Sequence, residues 1–253
     1  MRKRRQTGGA FAFSLTKQLR DISHDKHLEV IYTLFKVLQG PQPAAVNDAA
    51  HAPQERRRRD DCGIRNAKIL AGNIGYLKVD AFSDPVVCRS SLEVAMVRLN
   101  NATALIFDLR QNHGGDPRMV SLIASYLFDQ PTHLNEMYNP RSRTQSPIPG
   151  NKLANKPGFV LTSAMSISGG EEFCYDLKML KRAMIVGERT AGAAHIAILH
   201  RIDDHFAIAV PFAKPVNPIS KSDWEGIGVV PDVEVKEANA LTKATKVARN
   251  DPN

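Results

Sequence analysis

The sequence lacks long hydrophobic runs and is poor in cysteine. No apolar stretch among its 253 residues approaches the roughly 18 residues that a membrane-spanning helix needs. The three cysteines, Cys62, Cys88 and Cys174, are scattered and form no Cys-x-x-Cys pair, which argues against a zinc site and against a disulfide framework. We therefore expect three structural thiols, and we expect neither a metal ion nor a cofactor.

Basic charge is abundant, but it lacks the interleaved aromatic residues of a nucleic-acid-binding face. The formal net charge is +8, and much of the excess lies in "MRKRR" at residues 1–5 and "ERRRRD" at residues 55–60. Both runs lie in segments without apolar periodicity, which is typical of solvated tails and loops. No zinc-finger or helix-turn-helix pattern is found, so nucleic acid is not an expected partner. Binding of a polyanion through these runs stays an alternative.

A convincing export signal is also absent. The first residues, "MRKRRQTGGAFAFSLTKQLR", combine a basic start with a short apolar stretch, but Lys17 interrupts that stretch early and no clear cleavage site follows. These residues therefore do not indicate a cellular compartment for the protein.

What the sequence does contain is a repeated strand, turn and helix. The apolar run "ATALIFDLR" is followed by the turn "QNHGGDP" and the helical pattern "RMVSLIASYLF". The run "GFVLTS" is followed in the same way by "AMSISGG" and "EEFCYDLKMLKR". Strands that alternate with helices predict an α/β domain with a central, largely buried sheet flanked by helices.

The rest of the chain divides around this domain. A helix over residues 15–22 leads into the strand "HLEVIYTLF", so residues 1–38 are expected to form an N-terminal helix and strand segment. Residues 39–65 are rich in proline, alanine and arginine and predict a basic loop. Residues 66–245 form the α/β domain, and residues 246–253 form a tail.

Both glycine turns lie where a strand leads into a helix, which is where open α/β sheets bind ligands. Adjacent glycines such as Gly114 and Gly115 let backbone N–H groups converge on an anion. Ser168 precedes Gly169 at a helix N-terminus, where the helix dipole stabilises an oxyanion. Each turn alone is also explained as a tight turn or a helix cap. Together they supply a hydroxyl nucleophile and amide donors, the minimum for acyl transfer.

A serine nucleophile needs a base, and the chain holds eight histidines. His27 in "SHDKHLEV" stands at a helix-to-strand junction near Asp25, which makes it a candidate. The others are better explained as structural, loop or solvated residues; those nearest the motifs are His113, His195, His200 and His205.

Five blocks of sequence resemble, in order, the tail-specific or C-terminal-processing serine peptidases, in the branch that includes interphotoreceptor retinoid-binding protein modules and, more distantly, the tricorn core protease. The likeness covers residues 14–245. The resemblance implies a crotonase-like α/β fold, with residues 66–245 as the catalytic domain. It also implies hydrolysis of peptide bonds in unstructured or C-terminal segments of a peptide or unfolded protein. The blocks are "SLTKQLRDISHDKHLEVIY", "AGNIGYLKVDAF", "ALIFDLRQNHGGDPRMVSLIASYLF", "VLTSAMSISGGEEFCYDLKMLKRAMIVGERTAGAAH" and "NPISKSDWEGIGVVPDVEV".

The resemblance also assigns roles to individual residues. Ser168 matches the nucleophile and His27 of "DKHL" matches the base. Glu225 in "WEGIGVVPD" matches an acidic residue that orients the catalytic group, although a plain surface carboxylate explains it equally well. Relatives of this kind are commonly exported. The residues that match the oxyanion-hole donors are Gly114, Gly115 and Gly169.

The chain departs from the family's pattern in three places. Many members carry a lysine where this chain has Ala193, so a Ser/Lys dyad is excluded and catalysis has to run through Ser168 and His27. Lys26 stands where the tricorn pattern has a serine, which leaves Ser23 or Asp25 to orient the base. No PDZ-like insert is found, and the short stretch before the first block suggests a truncated N-terminal region.

A non-catalytic carrier is the main alternative to a peptidase. The retinoid-binding relatives keep this fold while binding hydrophobic ligands, and a fold alone does not distinguish the two functions. A carrier has no need for a serine, a histidine and two glycine turns in one chain. Their joint presence favours the serine peptidase.

Overall fold

A computed structural model describes residues 7–25, 27–37, 42–43, 61–138, 143–148 and 153–250. The basic runs at residues 1–5 and 55–60 lie outside these ranges, so the expectation that they are solvated stays a prediction. Among the described residues, no helix has both the length and the apolar character needed to cross a membrane.

The described residues form helices and strands in the following order. The helices are α1 (Gly8–Ser23), α2 (Pro85–Leu99), α3 (Pro117–Ser125), α4 (Gly169–Met179) and α5 (Glu237–Asn250). The strands are β1 (Glu29–Tyr32), β2 (Gln42–Pro43), β3 (Ile64–Leu70), β4 (Ile74–Val79), β5 (Ala104–Asp108), β6 (Thr132–Tyr138), β7 (Arg143–Ile148), β8 (Gly158–Thr162), β9 (Met184–Gly187), β10 (Ile196–Arg201), β11 (Phe206–Val216) and β12 (Val233–Glu234).

The main sheet lies between two layers of helices, as the sequence predicts. Its strand order is β12-β9-β8-β5-β4-β3, and all neighbours pair in parallel except the edge strand β3. In β5, Leu105 and Phe107 pack in the core shared with α2, α3 and α4. Ile106 points the other way, into a smaller core with Ala240 and Ala244 of α5. Burial on both faces explains why these strands read as continuous apolar runs.

A second, antiparallel sheet accompanies the main one and was not predicted as a separate unit. Its order is β2-β10-β11-β6-β7, and β1 also pairs with β11. The N-terminal helix and strand join the rest of the molecule through this sheet. The Thr16 hydroxyl accepts the N–H of Val30 at 2.8 Å and fixes α1 on β1, so the segment that carries His27 is held in place.

The structure corrects the expectation of three thiols. Cys62 and Cys88 form a disulfide, with Cα atoms 5.6 Å apart, and only Cys174 is a buried free thiol. The turn before β3 carries Cys62 onto α2, a contact that the spacing of the cysteines does not indicate.

Several boundaries also change. Residues 246–250 continue α5, so the expected tail is wrong there. The predicted loop over 39–65 ends earlier, because β3 begins at Ile64, while residues 44–60 lie outside the described residues. Helix α1 begins at Gly8, well before residue 15.

Candidate active site

The two glycine turns are in contact at one end of the main sheet. A methyl group placed on Gly114 would lie 2.8 Å from the Ser168 Cβ, and the N–H of Ile167 donates to the carbonyl of Asn112 at 3.1 Å. Asn112 is fully buried and packs against Gly170. Parallel β5 and β8 bring both turns to the same edge, as strand ends in a parallel sheet require.

Ser168 has a backbone conformation that serine rarely adopts. Its φ is 54° and its ψ is −120°, in a region that favours glycine, whereas the serine of an ordinary helix N-cap is extended. The N–H of Glu171 donates to the Ser168 carbonyl at 2.8 Å. The side chain is half-buried, so it is accessible at the start of α4.

The other two serines of this turn have hydroxyl groups that donate hydrogen bonds to backbone carbonyl groups. Ser163 donates its hydroxyl to the carbonyl of Arg110 at 2.5 Å, and Ser166 donates to the carbonyl of Leu109 at 2.7 Å. Both bonds tie the second turn to the end of β5. The hydroxyl groups of Ser163 and Ser166 therefore hold the turn in place, which leaves Ser168 as the candidate nucleophile among the three serines.

Two of the three predicted amide donors are free. Within the described residues, the N–H groups of Gly115 and Gly169 have no acceptor, and a methyl group on Gly169 would lie 3.3 Å from the Gly115 nitrogen. Gly114 differs, because its N–H donates to the Asn112 side chain at 2.8 Å. The expectation of three donors is therefore corrected to two.

A buried carboxylate holds Ser168 against the segment 190–193. Glu171 is fully buried and accepts the N–H of Ser168 at 3.0 Å, in the manner of a helix capping box. It also accepts the Thr190 hydroxyl at 2.5 Å and the N–H groups of Gly192 and Ala193 at 2.6 and 2.8 Å. Burial raises the pKa of Glu171, while these four bonds lower it.

His27 lies between α1 and β1, in a turn set by Asp25. The Asp25 carboxylate accepts the His27 N–H at 2.8 Å, and the Ser23 hydroxyl accepts the Asp25 N–H at 3.2 Å. Of the two residues expected to orient the base, Asp25 has its Oδ1 3.9 Å from His27 Nδ1, and Ser23 contacts the Asp25 backbone. Lys26 lies outside the described residues.

The imidazole of His27 is buried and faces acidic groups. Only 3% of the residue is exposed, and within the described residues neither ring nitrogen has a hydrogen-bond partner. Burial lowers the pKa of His27 to about 4, against the opposing effect of the Asp25 carboxylate. The ring is therefore neutral at neutral pH and has a free lone pair.

Glu225 connects His27 to the loop beside Ser168. Its Oε2 lies 3.8 Å from His27 Nδ1 and accepts the N–H of Ala194 at 2.6 Å. The adjacent Ala193 N–H bonds the carboxylate that holds Ser168. Glu225 thus lies between His27 and the segment that Glu171 holds beside Ser168, and within the described residues no hydrogen bond joins Ser168 to the His27 ring.

His195, which the sequence suggested to be a structural or loop residue, lies in the candidate site. Its Nδ1 lies 2.5 Å from Asp25 Oδ2 and 4.0 Å from Glu225 Oε2, and its ring stacks on that of His27 with centroids 6.4 Å apart. The one available signal was its position two residues after Ala193, where many members have lysine. Ala193 itself is buried, and its carbonyl accepts the Trp224 indole N–H at 3.2 Å.

An open cavity of about 500 Å³ adjoins this cluster. It is lined on the site side by Asp25 and His195. The remaining lining residues come from β6 and β11: Tyr138, Pro211, Phe212, Ala213 and Lys214.

Known proteins share this arrangement of elements. The chain is 27% identical over 218 residues to carboxyl-terminal-processing peptidase 2, chloroplastic, of Arabidopsis thaliana, an alignment that covers 80% of this chain and 42% of that protein. A solved photosystem II D1 C-terminal processing protease superposes with a TM-score of 0.58 at 26% identity, covering 74% of this chain and 50% of that one. The chain thus spans half or less of these relatives.

A broader structural likeness extends over nearly the whole chain. The structure of a lipoprotein from Streptococcus agalactiae superposes with a TM-score of 0.64 at 17% identity, covering 98% of this chain and 84% of that one, which shows a shared fold. The model of peptidase family S41 matches residues 73–235, more than half of the sequence. The chain belongs to peptidase family S41.

Proposed function

We propose that this protein is a serine peptidase that hydrolyses peptide bonds in unstructured or C-terminal segments, with Ser168 as nucleophile and His27 as base. The observation that carries the proposal is the backbone of Ser168, held in a region that favours glycine at the start of a helix. Backbone strain of this kind costs about 1–3 kcal/mol and persists where the surroundings impose it, often at active sites. The crotonase-like description of the fold belongs to the same proposal.

The chemistry follows from the groups around Ser168. His27 takes the hydroxyl proton through Nε2 while Ser168 Oγ attacks the scissile carbonyl carbon. The resulting oxyanion accepts hydrogen bonds from the N–H groups of Gly115 and Gly169, which are free for that purpose. The tetrahedral intermediate collapses, and the proton passes from His27 to the departing amine. Water then releases the acyl group in a second round of the same steps.

Asp25 and Glu225 are positioning residues in this scheme. Each carboxylate lies just under 4 Å from His27 Nδ1, the ring nitrogen that does not take the serine proton in this scheme. They stabilise the imidazolium that forms while it holds the serine proton. The neutral resting state of His27 keeps it able to accept that proton.

Labelling by a fluorophosphonate probe tests the proposal, because the probe modifies an activated serine. The wild-type protein should label once per chain, and Ser168→Ala should abolish labelling and cut peptide hydrolysis by about 10³-fold or more. His27→Ala should have a similar effect, since serine and base act as a unit.

The matched control is Ser90→Ala, which removes an exposed hydroxyl on α2, away from this turn. This variant should still label at Ser168. Unchanged labelling of the Ser168→Ala protein, or absence of labelling in the folded wild type, would reject the peptidase and favour a passive carrier of a hydrophobic ligand.

A further inference from the structure

Three side chains with metal-binding atoms converge beside the proposed catalytic base. One donor atom each from Asp25, His195 and Glu225 lies within 4.8 Å of the other two. The side chains are largely buried, with 17%, 24% and 15% exposed. They come from three distant parts of the chain, so their convergence is a property of the fold and not of local sequence.

A second observation points to a ligand at the same place. The His27 side chain is 1% exposed, both of its ring nitrogens lack a partner within the described residues, and Nδ1 is directed at the cluster. Its distances of 3.8 Å to Glu225 Oε2 and 3.9 Å to Asp25 Oδ1 are too long for hydrogen bonds. The buried Oε1 of Glu225 also has no partner there. Such unpaired buried groups are expensive unless something binds them.

The separations and chemistry suit a small cation. Two donors that bind one Zn²⁺ at about 2.0–2.2 Å in a tetrahedral site lie roughly 3.3–3.6 Å apart, so these donors need shift by only about 1 Å. Imidazole nitrogens with carboxylate oxygens are ligands that Zn²⁺ and related ions prefer. Two carboxylates also balance the charge of a divalent ion. The cavity lined by Asp25 and His195 gives the ion a path from solvent.

We propose that Asp25, His195 and Glu225 bind a divalent transition-metal ion of the Zn²⁺ class, with His27 Nδ1 as the fourth donor. The ion replaces the contact between His195 and Asp25 and satisfies the buried nitrogen of His27. It is not required for catalysis, and it acts as a reversible inhibitor.

The inhibition follows from the tautomer of His27, and this step rests on the proposed function. A neutral imidazole that binds a metal through Nδ1 carries its proton on Nε2. Nε2 then has no lone pair to accept the proton of Ser168. Binding of the ion therefore removes the base without blocking the serine or the amide donors.

Metal binding is measured on chelator-treated Ser168→Ala protein, so the readout does not depend on activity. Titration with Co²⁺ should give one ion per chain with the strong visible absorption of a four-coordinate site, and Zn²⁺ should displace it. His195→Ala in this background should weaken binding by about 100-fold or more. The matched control is His200→Ala, which removes an exposed histidine on the following strand and should leave binding unchanged.

Glu225→Gln provides a second ligand variant, should His195→Ala fail to fold. Equal Co²⁺ affinity in the parent and in either folded ligand variant would overturn the site.

The inhibitory step is tested on the wild type by fluorophosphonate labelling. Zn²⁺ should block labelling and a chelator should restore it, while the His195→Ala protein should label in the presence of the same Zn²⁺ concentration. Bound Zn²⁺ that leaves labelling unchanged would overturn the role of His27 Nδ1. Absence of labelling in the metal-free wild type would reject the peptidase proposal, and the Co²⁺ titration would still decide the metal site.

Discussion

The two strand-to-helix turns occupy equivalent places in the fold but differ in how well their residues suit the backbone conformation. In the first turn, Gly114 and Gly115 have φ values of 83° and 135°, which glycine adopts without strain. In the second turn, Ser168 has a φ of 54° although two glycines follow it directly. The first turn thus has the residue that suits its backbone, and the second has a residue that its backbone disfavours.

The helices that follow the turns also differ, in where their acidic side chains lie. Helix α3 is capped by Asp116, whose carboxylate pairs with the exposed Arg118. Helix α4 buries three carboxyl groups, those of Glu171, Glu172 and Asp176. The comparison teaches that the first turn combines a relaxed backbone with a free amide donor, while the second retains strain and buried carboxyl groups next to the proposed nucleophile.

The largest effect is expected at the first turn. In Gly115→Ala, the new Cβ would lie 2.1 Å from the Phe82 carbonyl oxygen, at a φ of 135°. Because backbone would have to move, we expect a loss of more than about 4 kcal/mol in the free energy of unfolding. Urea denaturation measures it. Gly9→Ala, on an open face of α1, is the control and should be neutral or slightly stabilising. Equal stability of the two variants would contradict this account of the turn.

The buried acids of α4 should make stability depend on pH. Burial raises the pKa of Asp176 to about 7 and raises that of Glu172, which also feels the Asp176 charge. The folded pKa of Asp176 exceeds its unfolded value of about 3.9. The neutral carboxyl group therefore makes its full contribution to the free energy of unfolding below pH 4, and this contribution is lost as the pH rises through 7.

Asp176→Asn should therefore stabilise the protein at pH 8, by at most about 4 kcal/mol, and flatten the decline in stability between pH 4 and 8. Asn135, whose buried Oδ1 has no partner within the described residues, can turn its amide to accept from the new side chain. Melting temperatures across this pH range measure the effect. The exposed Asp129→Asn is the control, and a parallel shift in both variants would count against the buried pair.

The Asn112 side chain fixes the first turn and packs against Gly170 of the second, so its loss should weaken both. It donates to the Val79 carbonyl at 2.9 Å and accepts the Gly114 N–H at 2.8 Å. Asn112→Ala leaves both groups buried and unpaired, and we expect a loss of about 3 kcal/mol with slower labelling of Ser168. Urea denaturation and labelling rates measure these effects. The exposed Asn101→Ala should change neither, and wild-type behaviour of Asn112→Ala would show that the turns are held independently.

The smallest effect isolates the strain at Ser168. Ser168→Gly and Ser168→Ala should both fail to label, but the glycine variant should unfold with a free energy about 1 kcal/mol higher, because glycine tolerates the positive φ. Paired denaturation curves of the two variants measure the difference. A glycine variant no more stable than the alanine variant would mean that the serine backbone is relaxed.

The sequence predicts the parts of the fold that depend on local pattern. The strands "ATALIFDLR" and "GFVLTS" are apolar because both faces are buried, so their positions and the helices after them are confirmed. The antiparallel sheet was missed because strands such as β1 and β11 pair over long distances in the chain. The Cys62–Cys88 bond was missed for a related reason, since spacing does not report the distance between Cα atoms.

The candidate site also combines residues that local sequence predicts with residues that it does not predict. Ser168 and the glycine turns follow from local sequence, His27 was a local candidate that the family resemblance strengthened, and Glu225 required that resemblance. The pairing of His195 with Asp25 spans 170 positions and leaves no local trace. The Gly114 N–H is already hydrogen-bonded to the Asn112 side chain. This bond depends on one side-chain rotamer, which no pattern of residue types predicts.

The pairing of β1 with β11 has a mechanical consequence. The proposed base directly precedes β1 of the antiparallel sheet, while the proposed nucleophile and amide donors follow strands of the main, largely parallel sheet. In the proposed mechanism, turnover therefore requires the two sheets to keep their relative position. A ligand that shifts one sheet against the other would separate the proposed base from the proposed nucleophile without unfolding any helix.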